Sequence, residues 1–327
     1  MRKMALVLSL LALTLPIYAR NASRLSRMTV VNPATLVIAP VADDLPARLF
    51  AQLKAGAAAR RAALRGGVHA SAIVDSVSTR ALVIPAAGSL AGGGGTFFRS
   101  DVTLVNYGSA PEQVLAGLWV QGTTNSLNPA NYKTITLQPN AFVTVQDFVA
   151  TSLGLSNVLG TLVFLPYTGT ALDPNAAVDG FSRIYTKQPG SNGTVSQPFE
   201  AVDPDFFSAQ LIDEGVALGL RQDADFRTNF GIVNVDSVDH VFKLTFMGEK
   251  MTTTLNVTVK AFGMIQQAIP TGDYGALQID YVVTDATSSS FVTWVGYASS
   301  TDNITGDGWV SLASANLTPD DLSLIGY

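Results

Sequence analysis

The chain carries two histidines, His69 and His240, no cysteine and 25 carboxylate side chains, and any chemistry it performs has to be assembled from these. General acid-base and nucleophilic catalysis draw on His, Cys or a tuned Lys. The two histidines stand in different segments and no Gly-x-Ser-x-Gly elbow occurs, so a serine triad has no support. Both read as ordinary polar histidines. The absence of Cys excludes disulfides, thiolate catalysis and Cys-based zinc sites. No catalytic and no cofactor-binding residue is expected.

Carboxylates cluster at Asp203, Asp205, Asp213, Glu214, Asp223 and Asp225, and again at Asp302 and Asp307. Calcium needs six to eight oxygens, so Asp203, Asp205, Asp223, Asp225, Asp302 and Asp307 are the metal candidates. Their spacing departs from the Asp-x-Asp-x-Asp-Gly loop, and solvated turns are the stronger expectation. So many acids occur that any two of them define no glycosidase pair. The run Gly92 to Gly95 would need a following helix to cradle phosphate, whereas a strand pattern follows it. Trp119, Trp294 and Trp309 could form a platform for sugar rings, although large aromatics in a sandwich serve packing more often.

The elements that would position these groups follow a repeat. Phe98-Arg-Ser-Asp-Val-Thr-Leu-Val-Asn106 is echoed by Phe226-Arg-Thr-Asn-Phe-Gly-Ile-Val-Asn234. In the same order, Gly160-Thr-Leu-Val-Phe164 answers to Gly275-Ala-Leu-Gln-Ile279, and Gly180-Phe-Ser182 to Gly296-Tyr-Ala298. Collinear echoes of this kind predict two copies, at 81–203 and 206–314. Within each copy the apolar period is two. Phe98, Ser100, Val102 and Leu104 share one face, as do Phe226, Thr228, Phe230 and Ile232, and both phenylalanines are expected inside. Further β-prone runs separated by turn residues predict an all-β fold of two tandem antiparallel sandwiches. One helix is predicted ahead of them, over Leu45 to Arg65, with Asp43 and Asp44 as caps and Gly66-Gly67 as its end. A shorter one is expected after Thr318-Pro319.

The first residues read Arg2-Lys3, an apolar run from Met4 to Leu15, and Pro16-Ile-Tyr-Ala19, the layout of a signal peptide cut after Ala19. The run is too short for a transmembrane span. Residues 20–80 then form a basic segment and 315–327 a C-terminal tail. Net charge is +8 over residues 1–83 and −13 over 84–327. An acidic body makes nucleic acid an unfavourable partner, because phosphate neutralisation needs clustered Lys and Arg. The β-prone runs Met28 to Val31 and Ala34 to Val41 could add to a sheet edge, on this molecule or on another, so self-association through residues 28–41 is weighed against docking within the chain.

Val83-Ile-Pro-Ala-Ala-Gly88, the glycine run, Phe97-Phe-Arg-Ser-Asp101, Leu104-Val-Asn106 and the turn Leu137-Gln-Pro-Asn140 together resemble uncharacterised exported bacterial proteins with tandem immunoglobulin-like sandwiches. The resemblance covers most of residues 83–314. It implies fold and export and carries over no catalytic or ligand residue. The second copy lacks the Pro-Ala-Ala-Gly opening. The resulting expectation is a secreted or cell-surface structural or interaction protein of adhesion type, without catalytic activity, that meets a protein or glycan at the cell exterior. A glycan-binding module is the alternative, and a glycan-active hydrolase ranks third.

Overall fold

The computed structural model describes residues 28–65, 81–188, 190–204, 214–282 and 293–313. The signal peptide, His69, the helix after Thr318 and the end of the predicted first helix at Gly66-Gly67 lie outside them. The chain is mostly β. In order it forms β1 (Thr29–Val30), β2 (Val37–Pro40), α1 (Leu45–Arg65), β3 (Leu82–Ala91), β4 (Phe97–Asn106), β5 (Glu112–Val120), β6 (Tyr132–Leu137), β7 (Ala141–Val145), α2 (Phe148–Thr151), β8 (Val158–Thr168), β9 (Ala171–Leu172), β10 (Val178–Lys187) and β11 (Thr194–Glu200). It continues with β12 (Glu214–Leu218), β13 (Phe226–Asn234), β14 (His240–Met247), β15 (Thr252–Val259), β16 (Gly263–Ala268), β17 (Ala276–Val282), β18 (Trp294–Asp302) and β19 (Gly308–Leu312). The glycine run is a 3-10 turn over Gly93–Gly95 that opens into β4, not a phosphate loop.

Strand order recurs between the two groups. β3-β8-β5-β6 faces β7-β4-β10-β11 in the first, and β12-β17-β14-β15 faces β16-β13-β18-β19 in the second. Registers match as well as order. Asn106 lies opposite Val178 and Leu104 opposite Gly180, just as Asn234 lies opposite Trp294 and Ile232 opposite Gly296. Ala116 opposite Phe164 corresponds to Leu244 opposite Ile279. The alternation read from the sequence holds at the centre, where Ser100, Val102, Leu104, Thr228, Phe230 and Ile232 are all buried. At the strand ends the direction holds but the burial does not. Phe98 and Phe226, at or next to the first residue of their strands, are only half-buried.

A buried asparagine fixes the same turn in both groups. Asn106 donates from Nδ2 to the carbonyls of Ala110 (2.8 Å) and Leu137 (3.4 Å) and accepts from the Gly108 amide at 2.8 Å. Asn234 donates to Val238 (2.8 Å), Val259 and Lys260 (both 3.2 Å) and accepts from the Asp236 amide at 2.9 Å. Each side chain thus satisfies backbone groups that two strand ends would otherwise leave unpaired in the interior.

The first group is one curled sheet. β3 pairs with β8 over most of its length and with the start of β4 at its end, and a bulge between Ile84 and Ala87 gives the bend. Residues 28–40 close its other side. β1 adds in parallel to β7 and β2 adds antiparallel to β6, so the β-prone arm docks on its own chain. Helix α1 follows, rich in Ala, Leu and Arg, and buries Leu45, Leu49, Phe50 and Leu53. Phe50 stands 5.4 Å from both Trp119 and Phe262, which are themselves 5.4 Å apart.

That aromatic contact carries the second group onto the first. Phe262 has φ 45°, a left-handed backbone that bulky side chains avoid, and its counterpart at the first group's turn is Asn140 with φ 48°. Both amides close equivalent turns, to the carbonyls of Gly108 and Asp236. The strained phenylalanine replaces the tolerant asparagine where its ring can enter the junction. Val233, Val235, Met264, Val295 and Tyr297 extend the first hydrophobic core across it, so the two groups share buried surface.

Candidate interaction face

The outer face of β4, β10 and β11 combines aromatic and cationic side chains in the open. Strand alternation turns Phe97, Arg99 and Asp101 of β4 outward beside Tyr185, Arg183 and Phe181 of β10. Phe97 is 37% exposed and Phe181 38%. The Arg99 guanidinium stands over the Phe97 ring at 4.7 Å, and Arg183 over Tyr185 at 4.8 Å. Arg99 also reaches Asp147 at 3.4 Å, while Asp101 accepts the Asp147 amide at 3.1 Å. Partial burial, reinforced by the charge and hydrogen bond of Asp101, pushes the Tyr185 phenol up. At one end, Phe97, Arg99, Lys187, Ser191 and Asn192 border a hollow of about 620 Å³. Arginine and aromatic side chains held in place by neighbours, with little rotamer freedom left to lose, are the chemistry of interface hot spots.

The corresponding face of the second group is already occupied. Tyr297, the register counterpart of Phe181, is fully buried 5.3 Å from Phe199 of the first group, with rings at 83°. It lies on Gly231, where a Cβ would come within 2.1 Å of the ring, and donates to Gln266 Oε1 at 2.7 Å. Burial drives its phenol far above the usual range. Gln197 bridges to Ser299, Ser300 and Thr301 across the same junction. One face therefore serves two ends: sealed around Tyr297 where it meets the other half, aromatic and charged where it meets solvent.

The residues singled out from sequence are placed otherwise. Trp119 and Trp294 are buried, and Trp309 sits edge-on to Phe226 at 5.8 Å, donating to the Gly219 carbonyl, so the three tryptophans form no platform. Among the metal candidates, Asp223 accepts the amides of Asp225 and Phe226 and pairs with Arg221 at 3.0 Å. Asp302 accepts those of Ile304 and Thr305. Asp225 offers its backbone carbonyl to Asn303, and Asp307 its own to Asp302. Asp203 follows the Val83–Val202 bridge, and Asp205 lies outside the described residues. Among the described residues no three His, Asp or Glu converge as a metal set. Turn chemistry accounts for the placement of Asp223 and Asp302. No helix among the described residues is long and apolar enough to cross a membrane. No protein-family model matches the chain, and no curated protein matches its sequence.

Two titratable sites escaped the sequence reading, and both are six residues beyond a buried asparagine. His240 Nε2 lies 3.2 Å from Asp236, whose other oxygen meets Lys54 of α1 at 2.9 Å and the Ser237 amide at 2.6 Å. Burial opposes the Asp236 charge, but hydrogen bonds from His240, Lys54 and Ser237 prevail and hold the carboxyl well below the usual carboxylate range. Glu112, at the matching position, is pushed up to about 7 by burial and by the Asp173 charge, against a lowering bond from the Tyr167 backbone. Only the folded chain brings these groups together, since Lys54 and Asp236 are distant in sequence.

The two shifts have opposite signs. Asp236 contributes stability above the ordinary Asp value of about 4 and loses it as pH falls below that. Glu112 contributes most below the ordinary Glu value of about 4.3 and loses that contribution as pH rises toward about 7. Urea midpoints measured from pH 2.5 to 8 are therefore expected to peak near pH 4 to 5. Asp236→Asn should flatten the acid limb and Glu112→Gln the limb up to pH 7; midpoints that rise steadily to pH 8 would contradict the Glu112 assignment, and midpoints level from pH 2.5 to 4 the Asp236 one.

Proposed function

We propose that this chain is an exported structural or interaction protein of two tandem immunoglobulin-like sandwiches, without catalytic activity, that presents the outer face of β4, β10 and β11 to a protein partner at the cell exterior. The observation that carries the reading is the exposed arginine-aromatic layer of Phe97, Arg99, Phe181, Arg183 and Tyr185, on a face whose counterpart in the second half is buried against the first. The matched strand order and registers support the tandem copies, and the leader-like N-terminus supports export. Exposed aromatic rings also favour a second reading, stacking on sugar rings.

Labelled full chain and its Phe97→Ala/Phe181→Ala/Tyr185→Ala variant, applied to immobilised extracellular proteins and to a glycan array, separate these. Binding to protein that the triple variant loses at least tenfold is the expected result. Retention on glycans alone, lost in the same variant, would give the second reading, and equal binding by both proteins on every surface would remove this face from either. Sequencing the N-terminus of the exported protein is expected to begin at Arg20.

A further inference from the structure

The arm and the repeat bear on each other. In the first group the outer edge of β6 is covered by β2, with Val37 opposite Thr136, Ile38 opposite Ile135, Ala39 opposite Thr134 and Pro40 opposite Lys133. In the second group β15 holds the place of β6: Leu137 faces Glu112 in one, and Val259 faces His240 in the other. Among the described residues β15 pairs with β14 and with no other strand, so its outer row of amides and carbonyls carries no ladder. The residues offered there follow those of β6: Thr258 for Thr136, buried Val257 for buried Ile135, Asn256 for Thr134 and Leu255 for Lys133.

The arm itself is lightly held. No residue from 28 to 41 is buried, and Val30 is 70% and Val37 55% exposed. It is fixed by ladder bonds to β6, by a two-residue ladder to β7 and by half-buried Val31, Leu36 and Val41 against the core, and connects to the anchored helix α1 through residues 41–44 alone. Segments with few buried contacts open most readily.

We propose that the outer edge of β15 is an acceptor for the arm of a second copy of this chain, residues 37–40 pairing antiparallel with 255–258. The inference rests on the tandem-copy reading and deepens it. Donor and acceptor lie on different halves, so the contact is heterologous and propagates into head-to-tail chains wherever its rotation does not close. The tether keeps each arm on its own β6 at an effective concentration of about millimolar, so chains grow only when molecules are crowded to a comparable level, as on a surface.

The chain has no cysteine, which makes crosslinks diagnostic. Full-length Val37→Cys/Thr258→Cys protein, oxidised at rising concentration, is expected to give a ladder of covalent oligomers that an excess of a peptide of residues 28–41 suppresses. Val37→Cys/Thr136→Cys should close within one chain and stay monomeric. Ala39→Cys/Asn256→Cys reads the same register by a second pair should the first variant fold poorly. The proposal is overturned if both β15 pairs stay monomeric while Val37→Cys/Thr136→Cys closes, or if the covalent oligomers arise from the Thr136 pair instead, which would seat the exchanged arm on β6. Adding Phe181→Ala should leave the ladder unchanged, so loss of the partner face and loss of the arm contact are read separately.

Discussion

Truncation of Asn234 to Ala is expected to lower the free energy of unfolding by about 3 kcal/mol, and Asn106→Ala by a similar amount. Each asparagine is almost wholly buried and joins three or four backbone groups. Alanine leaves those carbonyls and one amide without partners in the interior, and each such group costs about 1 to 3 kcal/mol when water cannot reach it. Asp at either position should cost more than Ala. It keeps the acceptor for the Gly108 or Asp236 amide but turns a carboxylate oxygen toward carbonyls, with the charge buried. Urea unfolding followed by tryptophan fluorescence checks the order: wild type, then Ala, then Asp. An Asn→Ala loss below about 1 kcal/mol in both halves would mean that the side chain adds little to turns closed by the backbone alone.

Phe50→Ala is expected to cost about 3 to 5 kcal/mol, the usual range for removing a buried aromatic ring. The ring touches Trp119, Tyr132 and Phe262, so its loss opens the junction of helix and both halves at one point. Amide hydrogen exchange in residues 28–56 should accelerate most, because the arm has no buried residue of its own and depends on α1 for its anchor. Exchange in residues 244–247, at the end of β14 away from His240, should rise only with global stability. Lys54→Ala should cost less in the same measurement, since its own ammonium is largely exposed and His240 and the Ser237 amide still hold the partly buried Asp236 carboxylate. If Phe50→Ala leaves exchange in residues 28–56 unchanged, the helix is not what holds the arm.

Much of the scaffold was legible in the residues. Helix α1 covers Leu45 to Arg65 as the spacing of its leucines and the helix-forming composition predicted, and β6 and β15 begin and end where their β-branched runs do. The echoed segments occupy matching registers, because a strand's inward residues must repeat if its neighbours repeat. Local periodicity carries such information since it depends on neighbours one or two positions away.

The position of Phe98 and Phe226, by the same logic, was misjudged: period two says which way a side chain points but not whether the facing sheet reaches that far along the strand. Tyr297 and Phe181 make the point more sharply. They hold the same position in the same strand pattern, yet one is sealed against Phe199 and the other stands in solvent, a difference set by where the second half docks. Likewise the β-prone run at residues 37–40 suggested an edge strand, while its seat on β6 depends on contacts between residues about a hundred positions apart, and nothing in the residues of β15 marks its outer edge as uncovered. The sequence by itself thus determined the alternation and the echoed segments, which arise from local sterics and hydrophobic spacing. Which faces and edges remain free was decided by tertiary docking, because burial between distant elements has no signature in the residues of either one.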